Sequence, residues 1–356
     1  MKAATFIEPG KVEVKEYDKP TIQKPTDAII RVLRACVCGS DLWWFRGISQ
    51  RQAGSTVGHE AIGIVESVGS AVKDVQAGDF VIAPFTHGCG HCAACLAGFD
   101  GDCLNQEAGG NGGYQGEYLR FTNANWALVK IPGQPEDYSD DMLNNFLALA
   151  DMLNNFLALA DVMATGFHAA TSAEVKKDDT VVVMGDGAVG LSGVLSAKLL
   201  GAKRIIAMSR HEDRQKLAKA FGATDIIAER GDEAVAKVMA LTETGADAVL
   251  ECVGTEQSVD TAVKVGRPGA VVGRVGVPQK AEMNTNNLFW KNIGLRGGIA
   301  AVTTDDKQVL LDAVLTGKIQ PGQVFTKRFM LDDIQAAYEA MDQRTAIKSL
   351  VIVSDK

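Results

Sequence analysis

Thr180-Val181-Val182-Val183-Met184-Gly185-Asp186-Gly187-Ala188-Val189-Gly190 is an apolar strand that runs into a G-x-G-x-x-G turn and opens a helix. The context matters more than the glycines, because glycine turns are common and only a strand–turn–helix setting makes one a dinucleotide cradle. The first glycine makes the turn, the second admits a pyrophosphate to the backbone, and the third lets helix and strand pack closely. Amide donors and a partial positive charge at the helix start favour an anion there. Gly185, Gly187, Ala188, Val189 and Gly190 therefore read as a cofactor-binding loop.

Around this loop, apolar strands at 180–184, 204–207, 248–251 and 270–272 alternate with helical stretches at 188–200 and 212–221. Such alternation implies a doubly wound parallel sheet covered on both faces. The end of the second strand decides the cofactor. A carboxylate there binds the ribose 2′-hydroxyl of NAD. This chain has Ser209-Arg210-His211 instead. Arg210 can fork onto a phosphate, with Arg214 adding charge, so NADP is expected in preference to NAD.

The flanking sequence has another texture. From Lys2 to about Val129, short apolar runs at 28–33, 61–68 and 80–84 are broken by Gly, Pro and Asp, as in an irregular β-rich domain with long loops. After Gly298, helical stretches at 307–315 and 332–341 precede a closing strand at 349–353. This arrangement suggests an outer domain split in sequence, at 1–163 and 299–356, with an α/β domain at 164–298 inserted into it. The decamer DMLNNFLALA occurs twice in tandem, at 141–150 and 151–160. If helical, ten extra residues rotate the downstream chain by roughly 280°. Solenoids need at least three longer units, so no function attaches to the copy.

Four of the seven cysteines, Cys89, Cys92, Cys95 and Cys103, fall within a lobe at 86–106 with spacing C-x2-C-x2-C-x7-C. Four thiolates close a tetrahedral zinc shell and leave no place for water, so the role is structural. An iron–sulfur cluster is the alternative occupant, and His87 or His91 are alternative ligands. A second group, Cys38 in Cys38-Gly39-Ser40-Asp41 and His59-Glu60, could hold a metal with an open position. Cys36 lies outside that motif and reads as packing.

The remaining composition is ordinary for a globular chain of 356 residues, with 46% hydrophobic and 22% charged. A net charge of −8 offers nothing to a phosphate backbone, so no nucleic-acid partner is expected. No apolar run reaches the roughly 18–20 residues that span a bilayer. Residues 1–10 lack a signal-peptide core and read as a first strand, and the expected location is the cytoplasm.

With CGSD at 38–41, GHE at 58–60, the four-cysteine lobe, DVMATGFHAA at 161–170 and the glycine loop, the chain resembles the zinc-dependent medium-chain alcohol dehydrogenases over nearly its whole length. The resemblance implies a Rossmann domain inserted in a GroES-like catalytic domain. It implies two zinc ions per subunit, the catalytic one held by Cys38, His59 and Asp161, with Glu60 entering the shell during exchange. Asp141 and Asp151 begin the decamers, but only Asp161 precedes the family's string. The implied reaction is reversible hydride transfer between an alcohol and NADP, giving an aldehyde or ketone. Zinc lowers the pKa of the alcohol oxygen.

Ser40 matches the family's relay hydroxyl. Trp43 stands where many relatives carry a histidine, which removes that part of the relay. Trp43, Trp44 and Phe85 are expected to shape an apolar substrate pocket. Thr165, Val253-Gly254, Val275-Gly276-Val277 and Gly298-Ile299 are expected near the nicotinamide, with Lys348 at the pyrophosphate. A homodimer or homotetramer is implied. The competing readings are a zinc-independent enzyme of the quinone-reductase kind on the same fold and a non-catalytic zinc-binding interaction protein. Cys38, His59, Glu60 and the four-cysteine lobe together weigh against the first, and the open ligand set with the glycine loop weighs against the second.

Overall fold

The computed structural model describes residues 1–106, 113–138, 146–278, 285–300 and 304–354. The chain forms two compact units, 1–161 with 303–356, and 162–302.

The first unit is β-rich. β1 (Lys2–Glu8) and β2 (Lys11–Glu16) form a hairpin. β3 (Ala28–Cys36), β4 (Ala61–Val68), β5 (Phe80–Ala83), β6 (Tyr118–Phe121) and β7 (Val129–Lys130) build most of a larger sheet. β3 is buried on both faces because it is central, which explains why AIIRVLRAC is nearly continuous in apolar character instead of alternating. The core beneath includes Phe6, Ile30, Val57, Tyr114, Phe121 and Tyr338.

The second unit carries β8 (Thr180–Met184), β9 (Arg204–Met208), β10 (Asp225–Ile227), β11 (Ala246–Glu251), β12 (Gly266–Arg274) and β13 (Gly294–Gly297). All adjacent pairs are parallel, in the order β10-β9-β8-β11-β12-β13. In chain order that is 3-2-1-4-5-6, the doubly wound arrangement whose ligand crevice lies at the carboxyl ends of the strands. Val182, Ile206, Val249 and Val272 form its fully buried centre. The helix Val162–Ser172 packs wholly within this unit, whereas the texture of the sequence places the boundary after residue 163.

The chain then returns to the first unit with β14 (Phe325–Met330) and β15 (Lys348–Ile352), completing the order β14-β15-β3-β4-β5-β7 with β6 also on β3. Residues 141–145 of the first decamer lie outside the described residues. The second copy forms most of the helix Phe146–Ala158 and packs firmly. Phe156 and Leu157 are fully buried. Asn154 accepts from Arg34 Nη1 at 2.8 Å, and Asn155 accepts from the Gly322 amide at 2.8 Å.

Among the described residues no helix is long and apolar enough to cross a membrane.

Candidate metal centres and nucleotide site

Strand register gathers the first centre. β3 and β4 are antiparallel with Ala35 opposite Ala61, so Cys38, just past β3, and His59-Glu60, just before β4, emerge at the same end. β15 runs antiparallel to β3 with Leu350 opposite Cys36, which brings Lys348 to that end too. β5 pairs Ala83 with Ala61, and beyond it the Phe85 amide bonds the Ala160 carbonyl at 3.3 Å, which ties in the segment carrying Asp161.

The donors of Cys38, His59, Glu60 and Asp161 lie within 4.8 Å of one another. Cys38 Sγ and His59 Nε2 each stand 3.5 Å from Asp161 Oδ2, and His59 Nε2 is 3.8 Å from Glu60 Oε1. The other ring nitrogen, Nδ1, faces Asp41 Oδ1 at 3.5 Å, while Asp41 Oδ2 accepts the Cys38 amide at 3.0 Å. Asp41 therefore orients two neighbours at once, leaving Nε2 toward the cluster. Glu60 is fully buried and its Oε2 has no hydrogen-bond partner. A buried carboxylate oxygen without a donor is costly unless a cation reaches it, so this donor set fits a zinc ion.

The charges point the same way. Burial opposes the His59 cation, yet Asp41, Cys38 and Asp161 outweigh it and hold its pKa well above the usual value. Burial likewise opposes the Lys348 ammonium, but Cys36, Glu60, Cys38 and Asp161 push its pKa well up. Negative donors thus concentrate where little water reaches.

Lys348 joins the same centre. Its Nζ meets Glu60 Oε1 at 2.7 Å and the Val37 carbonyl at 3.2 Å, and the residue is 1% exposed. Lys348 therefore holds Glu60 in place, a contact that the sequence does not announce. Trp44 departs from the sequence expectation of a pocket residue. Neighbours on a helix point about 100° apart, and on Asp41–Phe45 this sends Trp44 into the core against Phe6 and Tyr338, with ring centroids 5.2 and 5.3 Å away. Trp43 stays half-buried and Ser40 is exposed. Phe85 meets the His59 ring edge-on, at 6.2 Å between centroids.

In the cysteine lobe the four Sγ atoms also lie within 4.8 Å, with Cys92 at 3.5 Å from Cys95 and 3.9 Å from Cys103. Bonds of about 2.3 Å to a tetrahedral zinc require sulfur separations of about 3.8 Å. Amides of Cys89, Leu104 and Asn105 donate to these sulfurs at 3.3–3.4 Å. The amides of Cys95 and Leu104 draw the Cys92 thiol down to about 6, whereas burial lifts Cys95 to about 12. Gly90 takes φ +75°, and a Cβ there would strike the Trp126 ring at 2.5 Å. The histidine alternatives fall away. His87 bonds Thr122 and Tyr114 and stacks on Phe121, and His91 is exposed with Nδ1 on the Cys89 carbonyl.

In the nucleotide unit, Gly187 caps the 12-residue helix Ala188–Leu199, which contains Val189 and Gly190. A Cβ on Gly187 would face open space, whereas one on Gly190 would strike the Gly185 carbonyl oxygen at 2.1 Å. The first is room for a ligand and the second is close packing, as a dinucleotide requires. Glu251 Oε1 accepts the amides of Val253 and Gly254, each at 2.8 Å, and its carbonyl accepts those of Val275 and Gly276 at 2.9 and 3.0 Å. One glutamate therefore shapes both turns expected near the nicotinamide. Thr165 is buried in Val162–Ser172.

No carboxylate stands beside Ser209 in the sequence, but the fold supplies one from the glycine loop. Ser209 Oγ donates to Asp186 Oδ2 at 2.8 Å, and Arg214 Nη1 lies 3.3 Å from Asp186 Oδ1. Arg210 is exposed.

Comparison with known proteins agrees with this anatomy. Residues 24–133 match the family described as alcohol dehydrogenase GroES-like domain, and residues 188–315 match zinc-binding dehydrogenase. Two curated relatives are NADP-dependent isopropanol dehydrogenases. That of Clostridium beijerinckii is 34% identical and that of Thermoanaerobacter brockii 30%, each alignment covering 99% of this chain and 100% of the relative. An alcohol dehydrogenase structure from a Thermus species superposes with a TM-score of 0.88 at 31% identity, covering 99% of this chain and 100% of the other.

Proposed function

The chain belongs to the zinc-dependent alcohol dehydrogenase family, and from that premise we propose that it interconverts small secondary alcohols and ketones with NADP as the hydride carrier. The observation that carries the proposal is the convergence of Cys38, His59 and Asp161 beside the sealed carboxylate of Glu60. The substrate class rests on the two isopropanol dehydrogenases, to which this chain is alike along its full length.

A bound zinc would polarise the alcohol oxygen and lower its pKa, which is the chemistry a hydride transfer to a nicotinamide needs. The chain's own residues do the rest. Cys38, His59 and Asp161 would hold the ion, and Asp41 fixes the imidazole that presents Nε2. Lys348 holds Glu60 beside these three donors, where it could enter the shell of a bound ion. Ser40 offers the exposed hydroxyl through which the proton leaves. Trp43, lacking a basic nitrogen, passes it no further. Phe85 and Trp43 provide apolar contact. Cys89, Cys92, Cys95 and Cys103 hold a second zinc that supports the lobe.

Gly185, Gly187 and Gly190 would seat the pyrophosphate, and Ser209 and Arg210 are the residues toward which a 2′-phosphate would be held. Val253, Gly254, Val275 and Gly276 line the nicotinamide side with Thr165.

The test is kcat/KM for 2-propanol, 2-butanol, ethanol and glycerol with NADP and with NAD. Secondary alcohols with NADP should lead, by tenfold or more over the NAD reactions. Preference for NAD would remove the cofactor assignment, and turnover that survives complete zinc removal would favour the metal-free reading.

A further inference from the structure

The glycine loop has a carboxylate between its first two glycines, and its position is unusual for a site expected to take a phosphate. Asp186 and Arg214 side chains are each 12% exposed and 3.3 Å apart, so the pair is largely shielded from water. Asp186 also holds the hydroxyl of Ser209, which is itself 1% exposed, and Arg214 Nη1 reaches the Asp186 carbonyl at 3.3 Å. Ser209 is fixed from behind as well. Its amide bonds the Ile227 carbonyl at 3.0 Å, and its carbonyl accepts from Gln215 Nε2 at 2.8 Å.

We propose that Asp186 is a specificity-determining residue that narrows the preference for NADP over NAD. Its carboxylate engages the Ser209 hydroxyl and the Arg214 guanidinium, two donors that a 2′-phosphate would otherwise take. A phosphorylated ribose must draw these donors away while sitting beside a like charge. A ribose 2′-hydroxyl meets no such opposition, because it can donate to the carboxylate that repels the phosphate. Arg210, exposed and uncommitted to the pair, supplies the attraction that remains. The chain is thereby poised to use both cofactors, with Asp186 setting how far apart they lie. This rests on Ser209 and Arg210 being the 2′-phosphate site.

The effect is large enough to measure. A single charge removed about 6 Å from a dianion in a water-like dielectric changes affinity by about tenfold. Asp186→Asn removes the charge and keeps an oxygen that can accept from Ser209. Asp186→Ala removes both. Calorimetric titration with adenosine 2′,5′-bisphosphate and with AMP reads the adenosine half alone, without turnover.

In both variants the bisphosphate should bind about tenfold more tightly than in the wild type, while AMP, whose 2′-hydroxyl loses its charged acceptor, should bind no more tightly. The gain should shrink at high salt, as a charge effect must. An unchanged ratio of the two affinities, or a weaker bisphosphate, would overturn the role given to Asp186. A wild type that binds AMP more tightly than the bisphosphate would instead remove the NADP assignment, and Asp186 would still be judged by whether the ratio moves.

Discussion

Lys348 Nζ and Glu60 Oε1 meet at 2.7 Å with both side chains sealed from water, 288 residues apart in sequence. The pair joins the closing strand of the chain to the GHE turn. It also explains how a carboxylate can remain fully buried beside two further acidic residues. Removing one partner of such a pair leaves an uncompensated charge and typically costs about 3–5 kcal/mol, whereas replacing both by neutral groups is far milder.

Lys348→Met should therefore lower the thermal midpoint sharply, and the double variant Glu60→Gln with Lys348→Met should recover most of the loss. Scanning calorimetry of the two single variants and the double variant checks this. A double variant whose loss equals the sum of the single losses would show that the two side chains do not support each other.

The cysteine lobe gives a separate expectation. Cys95→Ser breaks a closed shell of sulfurs already at tetrahedral spacing. One zinc per chain should be lost and the thermal midpoint should fall, with the zinc at Cys38 retained. Elemental analysis alongside thermal unfolding tests it. Two zinc ions persisting at the original midpoint would show that Cys95 is not a ligand.

The neighbouring tryptophans should respond differently. Trp44 fills the core between Phe6 and Tyr338, so Trp44→Ala should destabilise by about 3–5 kcal/mol. Trp43→Ala should cost much less stability and mainly alter KM for the alcohol. Denaturant midpoints and steady-state kinetics separate the two. Equal stability losses would contradict the orientation given to this helix.

Arg210→Ala should weaken NADP by about ten- to a hundred-fold, the worth of one charge-assisted bond, and leave NAD nearly unchanged. The kcat/KM for each cofactor with one alcohol decides it. Unchanged discrimination would remove Arg210 from the phosphate site.

The sequence carried what is local. Strand, turn and helix around Gly185–Gly190 could be read because a dinucleotide loop is contiguous, and the four-cysteine lobe because its spacing alone fits a tetrahedron. Asp161 was distinguishable from Asp141 and Asp151 only by the string after it. The features that escaped depended on contacts across the fold. Nothing near Lys348 announces Glu60, because their meeting follows from the registers of β15 on β3 and β3 on β4. Asp186 was hidden inside a motif read for its glycines, although its side chain ends at Ser209, 23 residues on. Asp41 was read as part of the CGSD string, and its hold on His59 became visible only with the ring placed. Trp44 was misjudged because adjacent aromatics on a short helix face different ways.

The proposed chemistry depends on Cys38, His59 and Asp161 as the catalytic zinc ligands. Zinc content and NADP-dependent oxidation of 2-propanol, measured together in the wild type and in Cys38→Ser, test it most directly. Two zinc ions per chain are expected in the wild type, and in the folded variant one zinc ion with kcat reduced at least a hundredfold. A Cys38→Ser variant that keeps both zinc ions and wild-type kcat would contradict the assignment.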